Sequence, residues 1–126
     1  MKRTLLAVLA LALLSGFSTP AAAADAVVLR AVTIETSDVG TYVKEIDKAR
    51  AMMKRLESPS VTRVFQARFA GPNAGVVVVA QEWPSMAAFA KDVAKVDADA
   101  EYQAWLKGLS KIRKVLSDSL YTELKP

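Results

Sequence analysis

Apolar and polar positions alternate along Ala26–Thr36, "AVVLRAVTIET". Val28, Val32 and Ile34 fall on one face with Arg30 among them, and Leu29, Ala31 and Thr33 fall on the other. A period of two among β-branched residues predicts a strand partly covered on both faces. In "SDVGTY" the rhythm changes, with Ser37 or Asp38 placed to cap a helix. Val39, Tyr42, Val43, Ile46, Met53 and Leu56 then recur at three-four spacing, while Lys44, Glu45, Asp47, Lys48 and Lys54 lie largely off that stripe. Pro59 disfavours helical geometry in the residue before it, so the helix is expected to end near Ser58.

Alternation returns in "VTRVFQARFAG", Val61–Gly71. Val61, Phe65, Ala67 and Phe69 share one face with Arg63, and Thr62, Val64, Gln66 and Arg68 share the other. The turn cluster "GPNAG" joins this strand to Val76–Trp83, so the two should form an antiparallel hairpin. Val76–Trp83 is apolar on both parities and reads as a strand covered on both faces. Pro84 offers no ladder N–H and stops it, and Ser85 is a suitable N-cap for the stripe Met86, Phe89, Ala90 and Val93. Trp83, just outside that helix, is placed to pack on Phe89 or Ala90. Asp97 or Asp99 then caps a further helix carrying Tyr102, Trp105, Leu106, Leu109 and Ile112. "VLSDSLYTEL" closes the chain as a fourth strand, with Leu116, Leu120 and Leu124 on one parity and Ser117, Ser119 and Tyr121 on the other.

The order is β-α-β-β-α-(α)-β. It predicts an α+β, ferredoxin-like βαββαβ domain with a four-stranded antiparallel sheet and an extra helix before the last strand. With 126 residues there is room for one such domain.

The start of the chain lies outside this pattern. Met1-Lys2-Arg3 is positive, Thr4–Phe17 is uncharged and apolar, and Ala22 and Ala24 stand at the −3 and −1 positions of a cut before Asp25. These three parts make a secretory signal peptide over 1–24 and leave 25–126 as the working domain. A cut after Ala26 fits the same small-residue pattern. An uncleaved anchor is the alternative, but the apolar run is shorter than the ~20 residues a membrane span needs. The expected location is periplasmic or secreted, with no membrane association after cleavage. Loss of Lys2 and Arg3 takes 17 basic residues to 15 against 13 acidic, so the net charge falls from +4 to +2. The basic residues are dispersed among acids, which is a solvated surface and not a nucleic-acid stripe.

Cysteine and histidine are both absent. Export therefore brings no disulfide, and every Ser-His or Cys-His nucleophile is excluded. The commonest metal ligand is missing too, so neither a metal site nor a cofactor is expected. Met52 and Met53 are adjacent on a helix, face different directions and read as packing, not as a copper site. A domain of about a hundred residues buries a modest fraction of its surface, and a partner chain would help it.

A hairpin whose second strand ends in "QEWPSMAAFAKDVAKV", followed by "DAEYQAWL" and a last strand "SDSLYTEL", resembles the dimeric α/β-barrel superfamily. Within it the antibiotic-biosynthesis-monooxygenase-like and NIPSNAP-like families are nearest, and the resemblance covers essentially all of the mature chain. It implies a ferredoxin-like protomer whose sheet packs on that of a second copy, and a pocket between helices and sheet. Haem-degrading and chlorite-decomposing relatives use a histidine ligand that this chain lacks. Cofactor-free quinone-forming monooxygenases use an apolar pocket with Asn, Trp, Arg or Tyr orienting a phenol. Trp83 matches that pattern in position, whereas Asn73 sits in the hairpin turn.

Arg30, Arg63 and Arg68 stand out because each falls within an expected strand. They read either as surface charges paired with Glu35, Glu82 or Glu123, or as an anion clamp in the pocket. Gln66, Gln81 and Tyr121 are placed to add hydrogen bonds, and Trp83 serves as an aromatic plug or a ligand contact. The candidate ligand site is therefore Trp83, Arg30, Arg68, Gln66, Gln81 and Tyr121. Three readings follow: a homodimer binding a small apolar or aromatic molecule, a cofactor-independent monooxygenase acting on a phenol, and a structural dimer whose pocket is filled by its own side chains. The leader is tested by mass: protein recovered from the periplasm should lack Met1–Ala24, and a full-length mass there would contradict export.

Overall fold

The computed structural model describes residues 26–126, so the expected signal peptide lies outside the described residues. Within them the elements are β1 (Val28–Glu35), α1 (Val39–Arg55), β2 (Val61–Gln66), a 3₁₀ turn at Gly71–Asn73, β3 (Val77–Trp83), α2 (Met86–Asp97), α3 (Ala100–Leu109) and β4 (Lys114–Thr122). The four strands form one antiparallel sheet in the order β2-β3-β1-β4. β1 and β2 thus flank β3, and β3 and β4 flank β1. These two interleaved split βαβ units make the ferredoxin-like fold expected from the pattern.

Each helix begins where a short polar side chain satisfies a free N–H. Asp38 accepts from Thr41 N at 3.0 Å, Ser85 from Ala88 N at 3.1 Å and Asp99 from Tyr102 N at 3.0 Å. Asp38 and Asp99 thereby settle the alternatives at those two starts. One sheet face receives the helices. Ile34, Val77 and Val79 from the sheet are buried against Tyr42 and Ile46 of α1 and Leu109 of α3, with Val32, Val64 and Trp105 packed around them. The other face carries Leu29, Ala31, Val61, Phe65, Val78 and Tyr121 by alternation, and Val61, Phe65 and Tyr121 are exposed. No helix among the described residues is long and apolar enough to cross a membrane.

β1 and β3 are trimmed to Val28–Glu35 and Val77–Trp83, and α3 ends at Leu109 so that Ile112 lies beyond it. Three further boundaries differ from the sequence reading for a clear physical reason. First, α1 ends at Arg55 and not near Ser58. Glu57 adopts a left-handed conformation (φ 54°), and Ser58 N donates back to Met53 O at 2.9 Å, so the chain reverses before Pro59 is reached. Second, β2 stops at Gln66 and does not run to Gly71. Ala67 closes the ladder with Val76 O and Gly75 N, and Phe69 then leaves the sheet fully exposed. Gly71 and Gly75 take positive φ (55° and 92°), which bends the loop away from strand geometry. Third, β4 starts at Lys114 and ends at Thr122, so Leu124 falls beyond it. Its alternation is broken: Ser117 pairs with Thr33 but Val115 pairs with Ile34, which inserts one extra residue opposite β1.

Candidate functional site

The strand register decides which polar groups face the helices. Arg30 and Val32 of β1, Thr62 of β2, Val79 and Gln81 of β3 and Asp118 of β4 all share the helix side of the sheet. Together they floor a cavity of about 400 Å³. Ile46, Ala49 and Met53 of α1 form one wall, and Phe89, Val93 and Asp97 of α2 form another. Tyr102, Trp105 and Leu106 of α3 cover it, and Arg113 and Val115 close the end where β4 begins. The lining is mainly apolar with a few convergent polar groups, which is the ordinary make-up of a small-molecule site.

Arg30 grips Asp118 with both arms, Nε to Oδ1 at 2.8 Å and Nη2 to Oδ2 at 2.6 Å. This hydrogen-bonded pair raises the Arg30 pKa and holds the Asp118 carboxyl below its usual range. A lowered carboxyl pKa contributes stability above the unfolded-state value, and that contribution is lost as pH falls through the folded-state value. Both side chains are more than a third exposed (37% and 43%), so solvent screening limits the pair to within about 1 kcal/mol. Burial pushes the Tyr102 phenol above its ordinary value, against an opposite pull from Arg30. Trp105 Nε1 donates to Glu45 Oε2 at 3.1 Å, and its ring meets Tyr102 at a centroid distance of 5.4 Å. Gln81 Nε2 reaches Thr62 Oγ1 at 3.4 Å. Among the described residues no group of three carboxylates comes together to hold a metal.

Beside this cavity lies the strand-helix corner. Trp83 is 3% exposed, and its Nε1 donates to Asp92 Oδ2 at 2.8 Å. Ser58 Oγ donates to the same oxygen at 2.6 Å. The other oxygen, Asp92 Oδ1, has no hydrogen-bond partner among the described residues, and Lys95 Nζ stands 3.8 Å away. The indole also meets Phe89 edge-on, with centroids 4.9 Å apart. Trp83 thus lines only a small space of about 20 Å³, shared with Asp92, Arg30 and Gln81, and is absent from the walls of the large cavity.

Of the six residues singled out in the sequence, Arg30, Gln81 and Trp83 come together at one end of the site. Gln66 shares their sheet face but sits at the hairpin end, donating to Gly75 O at 3.3 Å. Arg68 lies in the exposed hairpin loop past β2, and Tyr121 is on the uncovered face of β4. The partner of Arg30 is Asp118 and none of the glutamates considered, whereas Arg63 does meet Glu82, at 3.3 Å. Sequence reasoning passed over Asp118, Tyr102, Trp105 and Arg113. Asp118 carried a usable signal, a second charged residue inside a strand able to neutralise Arg30. Tyr102 and Trp105 were visible only as a helix stripe.

No protein-family model matches the chain, and no curated protein matches it in sequence. Solved structures do match its fold. SnoaB from Streptomyces nogalater, a cofactor-independent oxygenase, superposes in a variant form with a TM-score of 0.60 at 13% identity, over 82% of this chain and 97% of that one. A NIPSNAP family protein from Agrobacterium tumefaciens gives 0.54 at 14% identity, over 79% and 93%. A conserved protein of unknown function from Bacteroides thetaiotaomicron, described as a possible oxidoreductase, gives 0.52 at 11% identity, over 79% and 100%. The chain therefore has the small ferredoxin-like α+β fold that these proteins share.

The corner geometry makes a stability prediction. Trp83→Phe removes one of the two donors to a buried carboxylate, and urea denaturation should show a loss of about 1–3 kcal/mol. In an Asp92→Leu background the same change should cost much less. An equal loss in both backgrounds would mean that the hydrogen bond contributes nothing.

Proposed function

We propose that the protein binds a small, partly aromatic molecule in the cavity between its helices and its sheet. The single observation that carries this reading is an open space of about 400 Å³ with Arg30, Gln81, Tyr102 and Arg113 among mainly apolar walls. Space of that size is in the range of ligand pockets, and it argues against a pocket filled by the protein's own side chains. Flat rings suit the site because Phe89, Tyr102 and Trp105 offer aromatic surfaces on two of its sides.

The working form in this reading is an exported homodimer. Export rests on the three-part start of the chain. The dimer rests on the uncovered sheet face, where Val61, Phe65 and Tyr121 are each about half exposed (51%, 52% and 55%) beside Val78 and Ala80. The helices cover one face of the sheet, and a second layer would bury the apolar side chains left on the other. A second copy laid on the same patch gives a self-complementary contact.

A second reading is favoured by the likeness to a cofactor-independent oxygenase. In it the bound molecule is a phenol or anthrone that reacts with dioxygen, one oxygen atom becoming a ring carbonyl and the other leaving as water. The cavity would hold the reactive ring away from bulk water, and the Tyr102 hydroxyl would donate to the phenolate oxygen.

The binding reading is tested with 2-naphthol as probe. It should quench Trp105, which lines the cavity, and Val93→Phe, which narrows the α2 wall, should weaken binding at least tenfold while leaving the fold intact. Unchanged affinity would place the probe elsewhere. Oxygen uptake with an anthrone would add the second reading, and none across a phenol panel would remove it. Light scattering at micromolar concentration should give a dimer mass that Phe65→Glu converts to a monomer. A monomer before substitution would remove the dimer.

A further inference from the structure

Two guanidinium groups line the cavity, and they differ in what they are bound to. Arg30 is closed on Asp118 by two short hydrogen bonds. Arg113, in the segment between α3 and β4, is half-buried and donates through Nη1 to Tyr42 Oη at 3.0 Å. The Tyr42 side chain is fully buried in the core, so it fixes the guanidinium in place. Among the described residues no carboxylate lies within ion-pair distance of Arg113. A guanidinium carries five N–H donors, and a phenol oxygen engages only one of its arms. A positioned, partly desolvated cation whose remaining donors meet no carboxylate is suited to bind an anion.

The charges around it give the site a direction. Asp97, the other carboxylate on the cavity wall, lies at the opposite end, where it shares the small corner space with Trp83 and Asp92. Asp118 is paired with Arg30, and its field reaches Arg113 only from beyond ion-pair distance. On its outer side Arg113 borders a shallow depression with Glu35 and Lys111, whose charges offset each other. An anion entering the cavity therefore meets attraction at the Arg113 end and repulsion at the Asp97 end.

We infer that Arg113 is the anion anchor of the cavity, and that its ligand is an aromatic carboxylic acid bound with the carboxylate toward the start of β4 and the ring beneath Trp105 and Phe89. This inference rests on the binding reading above and specifies its ligand class. It assigns to Arg113 a positioning and selecting role that a neutral aromatic would not need.

The test uses a matched pair, 1-hydroxy-2-naphthoate and its methyl ester, titrated by calorimetry into the mature protein. The acid should bind about tenfold or more tightly than the ester, the magnitude of a hydrogen bond to a charged group. Arg113→Met should remove that preference by weakening the acid far more than the ester, and Arg113→Lys should keep part of it by charge alone. Equal binding of acid and ester to the unaltered protein would overturn the inference yet leave the cavity reading standing. So would a parallel loss of both in Arg113→Met. Binding of neither would overturn both. The acid-to-ester ratio needs no variant, so it decides the matter even if Arg113→Met fails to fold.

Discussion

A single buried hydrogen bond, from the Trp83 indole to the Asp92 carboxylate, fixes where the second helix sits. Trp83 is the last residue of β3, and Asp92 lies midway along α2. The same carboxylate oxygen takes the Ser58 hydroxyl from the segment after α1, so one acid ties a strand, a helix and the end of another helix together. Leaving a buried carboxylate without donors is far more costly than the net value of any one bond, which makes this arrangement strongly selected over alternatives. Phe89 and Val93, on the same helix, then stand over the sheet at the height that leaves a cavity below them.

Beneath that roof, the sheet contributes polar groups where a core strand ordinarily has none. Arg30, Thr62, Gln81 and Asp118 occupy helix-facing positions on four different strands. Further along the same strands the helix-facing positions are Ile34, Val77 and Val64, and there the helices pack down on an apolar core. The helix side of the sheet thus carries a polar band across its strands, set between the packed core at Ile34 and Val77 and the buried corner at Val28 and Trp83. Arg113 stands near the boundary, held by Tyr42 from the packed side.

Most of the fold was legible because local signals agreed with one another. Asp38, Ser85 and Asp99 each combine a capping side chain with the start of an apolar stripe, and Pro84 stops β3 at the expected place. The boundaries that moved did so for tertiary or backbone reasons that periodicity does not carry, namely the left-handed turn at Glu57 and the extra residue in β4 opposite Ile34. For the site, sequence alternation put Arg30 on one strand face with Val28, Val32 and Ile34, but could not say which face lines the pocket. It could not say that Asp118 stands beside Arg30, because the pairing of first and last strands is a non-local choice. Nor could it give the role of Trp83, whose contacts depend on an aspartate nine positions on and a serine from another segment. Tyr121 and Arg68 have suitable chemistry but lie on the wrong face and past the strand end.

That the cavity is a ligand site is tested most directly by methyl and indole NMR during a titration with 2-naphthol. The expected shifts are at the Val32, Val79 and Met53 methyls and at the Trp105 indole proton, with the Trp83 indole proton little moved because Asp92 holds it. Shifts confined to Val61, Val78 and other residues of the uncovered face, with the Trp105 signal unchanged, would contradict it.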